Sequence, residues 1–149
     1  MRVVLAIMVF GLAARLIAQQ PADEESRSRF RAVDIYVDSK SAPLAAYQLE
    51  FSATNGMARI VGIEGGEHPA FREPPFYDPK AIQHERVVIA AFSTAAADKL
   101  PTGRTRVVTI HLQTEGAEPV RFALNLQTAA DFRGNKISAE ASFEERKAK

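Results

Sequence analysis

Cysteine is absent from the chain, which excludes structural disulfides, thiolate metal ligands, cysteine nucleophiles and the lipid-bearing cysteine of bacterial lipoproteins. Tryptophan is absent too, so the largest flat ring a protein can stack on a pyranose is missing. Net charge is close to zero, with 19 Lys+Arg against 18 Asp+Glu, and no electrostatic pull toward nucleic acid or an anionic membrane follows. The one long apolar run, Val3 to Leu12, is soon broken by Arg15, well short of the roughly 20 residues a spanning helix needs. Catalytic signatures are also missing. There is no G-x-S-x-G elbow, no nucleophile beside a base, and no carboxylate pair flanked by aromatics. The three histidines, His68, His84 and His111, stand too far apart for a short-spacing metal motif. Neither an enzyme activity nor a cofactor is expected.

What is present at the N-terminus is a short positive start, Met1-Arg2, followed by the apolar run and then by Gln19, Gln20, Asp23, Glu24 and Glu25. That order predicts a cleavable signal peptide over residues 1–18, with small Ala18 at the cut and a mature start between Ala14 and Asp23. The expected compartment is secreted or periplasmic, without stable membrane insertion after cleavage. Removal of residues 1–18 takes away Arg2 and Arg15, leaving 17 Lys+Arg against 18 Asp+Glu, a formal charge of −1. Residues 19–29 read as a flexible polar leader, 30–144 as one domain, and 145–149 as a disordered tail. A chain of this size can bury a real core without disulfides.

From Phe30 onward the dominant pattern is alternation with period two, the mark of strands with one buried face. Val33, Ile35 and Val37 share one face of a strand over 31–38, opposite Asp34, Tyr36 and Asp38. Tyr47, Leu49 and Phe51 do the same over 45–53, and Asn55-Gly56 then predicts a tight hairpin into a strand over 57–64. Residues 86–93 are apolar on both faces and read as a central strand covered on each side, or as one facing a second apolar surface. After the turn residues Pro101-Thr102-Gly103, Val108, Ile110 and Leu112 align over 105–113. Val120, Phe122, Leu124 and Leu126 align over 119–127, and Ile137, Ala139, Ala141 and Phe143 over 136–144. Ile89, Val108, Phe122 and Leu124 are expected among the most buried residues. Seven or eight such strands without a long amphipathic helix predict an all-β, two-sheet antiparallel sandwich.

The order of these features resembles the cohesin-like β-sandwich modules, which share their jelly-roll architecture with certain carbohydrate-binding modules. The resemblance runs from about Phe30 to Phe143. It rests on Val33-Asp34-Ile35-Tyr36-Val37, on Ala42-Pro43-Leu44-Ala45-Ala46-Tyr47-Gln48-Leu49-Glu50-Phe51 and on Ile60-Val61-Gly62-Ile63-Glu64-Gly65-Gly66. Arg86 to Ser93, and Gly103 with Val107 to Leu112, continue it. Cohesins bind dockerin modules of partner enzymes through one sheet face, and related modules bind polysaccharide. The resemblance thus implies an exported, non-catalytic binding module whose partner is another exported protein or a polysaccharide. The alternative is a small exported enzyme or accessory domain whose site is assembled only in the fold.

Glu67 to Tyr77 is the most unusual stretch, with three prolines and three aromatics in a nonperiodic loop. Phe71, Phe76 and Tyr77 are the candidate binding residues. They either cap an open end of the sandwich or contact a ligand. Ser93-Thr94, Asp34 and Asp38 are polar groups at places that usually end strands or face water, and His111 is expected to face solvent. No metal is expected, since Asp78 has no dense Asp/Asn/Gly run around it to hold calcium.

Overall fold

The computed structural model of the chain describes residues 28–55, 57–116 and 119–146. The expected signal peptide, the leader up to residue 27 and the tail beyond residue 146 lie outside the described residues.

Eight strands follow one another: β1 (Arg29–Asp38), β2 (Ala46–Asn55), β3 (Met57–Gly65), β4 (Phe76–Tyr77), β5 (Arg86–Phe92), β6 (Arg104–Glu115), β7 (Arg121–Ala130) and β8 (Glu140–Glu145). They make two four-stranded sheets, β3-β6-β1-β8 and β4-β5-β2-β7, antiparallel throughout. The all-β two-sheet sandwich expected from alternation is therefore the observed architecture. Its core is the sum of the inward rows: Val33, Ile35 and Val37 from β1, Tyr47, Leu49 and Phe51 from β2, Val87 and Ile89 from β5, and Val108, Ile110 and Leu112 from β6. A bulge between Ile35 and Tyr36 leaves Val107 unpaired on β6, and the carbonyl freed there accepts the hydroxyl of buried Tyr47 at 3.2 Å. Burial pushes that hydroxyl's pKa upward, so it stays a neutral donor.

Three strand-level expectations change. The Asn55-Gly56 turn does not close a hairpin, because β2 and β3 lie in different sheets. Ala53 of β2 and Ala58 of β3 pack together with Val120, and Gly56 lies outside the described residues. The outer row of β5 is not covered: Val88 and Ala90 are half-buried and Phe92 is exposed. Ile89 and Val108 are fully buried as expected, whereas Phe122 and Leu124 are only half-buried. β7 is the edge strand of its sheet, and alternation in sequence does not distinguish an edge from a centre.

The loop after β3 is drawn tightly against β6. The Gly66 amide donates to the Phe71 carbonyl at 2.7 Å and the Glu67 amide to the Arg106 carbonyl at 3.1 Å. A β-carbon at Gly66 would collide with the Arg106 carbonyl and with Val107 backbone atoms, so the backbone itself would have to move. Gly66→Ala is expected to cost about 2 kcal/mol, read in urea melts. An unchanged midpoint would show that the loop is not held this closely.

Candidate functional site

The three aromatics proposed from sequence take different places, and strand alternation separates two of them. β4 pairs with β5 so that Tyr77 lies opposite Ile89, on the core side, and Phe76 opposite Ala90, on the outer side. Tyr77 packs against the core. Phe71 sits on a 3-10 turn over Pro69–Phe71 whose cap is the His68 side chain, accepting from the Ala70 amide. It is 3% exposed and meets Tyr47 edge-on, centroids 5.3 Å apart. Phe71 and Tyr77 thus close the sandwich, while Phe76 leaves it at 67% exposure.

Phe76 is not alone outside. Phe92, 63% exposed, lies on the same face of β5 two residues beyond Ala90. The two rings stack, centroids 5.9 Å apart and planes within 8°. A groove of about 300 Å³ runs beside them, walled by Pro69, Pro74, Pro75 and Ala91 with Glu73 at its margin. Glu73 is exposed and makes no ion pair among the described residues. Further across the sheet, Arg86 grips Glu50 with two hydrogen bonds of 2.7 Å, which hold the Glu50 carboxyl below the usual carboxylate range. Gln48 and Gln127 pair beside it. The face therefore carries a cluster of paired polar groups and one apolar corner. Ser93, beside that corner, uses its hydroxyl to accept the Ala95 amide at 3.3 Å, which is turn chemistry. The sequence reading missed Phe92 because a phenylalanine ending an apolar strand carries no sign of which sheet face it will occupy.

On the outer face of the other sheet, Asp34 is 9% exposed, not solvated as expected. It accepts Arg146 Nε at 2.8 Å and Nη2 at 2.9 Å, and the Thr109 hydroxyl at 2.6 Å. Arg106 stands 3.9 Å away. Burial opposes the charge of Asp34, but the Arg146 and Thr109 hydrogen bonds outweigh it and lower the carboxyl's pKa. Next to this network, the ring of half-buried His111 has Nε2 3.1 Å from Glu64 Oε1, buried and without an aligned hydrogen bond. No group of three His, Cys, Asp or Glu among the described residues is placed to hold a metal. The expected role of the Asp34 network is to pin β8 to the sheet. Its stabilisation is complete above the ordinary aspartate pKa of about 3.9 and is lost as pH falls through the lower folded-state value. Asp34→Asn should therefore flatten the acid limb of stability against pH, measured by urea melts from about pH 2 to 6. An unaltered limb would remove Asp34 from that account.

These features describe a sandwich with a cohesin-like fold. A solved non-cellulosomal cohesin from the hyperthermophilic archaeon Archaeoglobus fulgidus superposes with a TM-score of 0.53 over 76% of this chain and 75% of that chain, at 8% sequence identity. At that identity the likeness concerns the fold. The sequence matches no protein-family model and no curated protein.

Proposed function

We propose that the chain is a non-catalytic protein-interaction module that docks its partner on the outer face of the β4-β5-β2-β7 sheet, at the Phe76–Phe92 corner. The observation that carries this reading is the stacked pair of phenylalanines, 67% and 63% exposed, continuous with the uncovered Val88 and Ala90 of β5. Rings of this size left in water beside a groove are the anchors from which interfaces draw most of their energy. The groove's proline walls and the carboxylate of Glu73, without an ion pair among the described residues, favour a partner segment that inserts an aliphatic or aromatic side chain and carries a Lys or Arg next to it. A protein partner fits better than a polysaccharide. Sugar hydroxyls require a dense set of polar groups, and around the two rings stand mainly alanine, valine and proline.

Export through an N-terminal signal belongs to the same proposal, resting on the apolar run of residues 3–12. Intact mass of the protein recovered outside the cell should show a start between Ala14 and Asp23; full-length chain still carrying Met1 would contradict export. For docking, wild type and the Phe76→Ala/Phe92→Ala double variant are immobilised side by side and offered the exported proteins of the source organism. A partner held by wild type and lost from the variant supports the corner as the docking site. A partner held equally by both would place docking elsewhere.

A further inference from the structure

A second candidate site lies on the other sheet, where β1 outruns β8. Pairing between these strands ends at Val33 and Glu145, and one further bond, from the Arg146 amide to the Ala32 carbonyl at 2.9 Å, closes the ladder. In an antiparallel strand the N–H and C=O of one residue point to the same side, and the side alternates along the chain. The amide and carbonyl of Phe30 thus point the same way as those of Ala32, away from β6, and they have no backbone partner among the described residues. Among the described residues this short length of strand edge is open; residues 147–149, which follow Arg146, lie outside them.

A cleft of about 600 Å³ lies along it, lined by Arg29, Phe30, Arg31, His111, Glu145 and Arg146. Its charge is lopsided, three guanidiniums to one carboxylate. Arg31 is paired with Glu145 at 3.2 Å and Arg146 with Asp34 at 2.8 Å. Arg29 has no ion-pair partner among the described residues. Arg29 and Arg31 share one face of β1, by period two, and Phe30 projects from the other at 74% exposure.

We propose that this cleft binds an extended acidic segment of a partner protein. The segment would add to β1 as a short strand, bonding the amide and carbonyl of Phe30, with carboxylates on alternate residues toward Arg29 and Arg31. The residues between them would be apolar and lie on Phe30. Strand addition supplies affinity through the backbone, and the alternating side chains supply selectivity. The guanidiniums supply charge-assisted bonds and faster encounter. This site shares no residue with the Phe76–Phe92 corner, so either can fail without the other.

The probe is a fluorescein-labelled short peptide alternating glutamate and valine, titrated by anisotropy against the purified protein, beside a twin with glutamine at each glutamate. Saturable binding of the glutamate peptide, weaker for the twin and weakening with salt, is expected. Arg29→Glu should reduce affinity at least about tenfold at an unchanged melting temperature, because Arg29 is exposed and holds no ion pair among the described residues. Phe30→Pro, which removes the bonding amide, should weaken binding as well. Equal binding of the twin, or full affinity in Arg29→Glu, would overturn the proposal. Binding that appears only after residues 19–27, with Asp23, Glu24 and Glu25, or residues 147–149 are deleted would overturn it too, by showing that the chain's own ends fill the cleft.

Discussion

Phe71→Ala is expected to cost about 3 to 5 kcal/mol of folding stability, while Phe76→Ala, five residues further along the same loop, stays within about 0.5 kcal/mol of wild type. Phe71 is nearly inaccessible and packs edge-on against Tyr47. Its backbone closes the turn through the His68 carbonyl and holds Gly66. Truncation would leave a cavity under a loop that cannot collapse into it, because the prolines on either side stiffen the chain. Phe76 loses only its stack with Phe92 when shortened. Urea melts of the two single variants decide the matter, and equal destabilisation would show that the loop aromatics form one structural cap.

Phe51→Ala should be as damaging, about 3 to 5 kcal/mol. Phe51 is fully buried at the centre of β2, between Val87 of β5 and Leu124 of β7, and its ring stacks on Phe122 at 5.3 Å. Phe122 in turn meets Phe143 of β8 edge-on at 6.0 Å, so the three rings tie β2, β7 and β8 across the side of the sandwich. Phe122→Ala should cost less, nearer 2 to 3 kcal/mol, because half-buried Phe122 already has water on one side. A larger loss at Phe122 than at Phe51 would mean that the edge of the sandwich, and not its centre, carries its cooperativity.

Period-two alternation was enough to read the sandwich and most of its strands, since each inward row matches an apolar row in the sequence. It could not place strands in sheets. Asn55-Gly56 has the chemistry of a hairpin turn, yet the flanking strands part because β2 pairs with β5 and β7 and β3 with β6, partners far away in sequence. The loop from Glu67 to Tyr77 is recognisable as unusual from its prolines and aromatics, but the inward turn of Phe71 follows from a single 3-10 turn, and the opposite sides taken by Phe76 and Tyr77 follow from a two-residue strand, both too short to leave a periodic trace. Asp34 shows the same limit. An acid on the outer face of a strand reads as solvated until Arg146, 112 positions later, is brought over it by β8.

The proposed docking site is the Phe76–Phe92 corner and not the body of the fold. Its most direct test is calorimetric titration of the captured partner into wild type and into Phe76→Ala/Phe92→Ala, with thermal melts of both proteins alongside. The account predicts a loss of about 30-fold or more in affinity, the scale of an interface anchor, with the melting temperature nearly unchanged. Full affinity in the double variant, or a loss that only tracks unfolding, would contradict it.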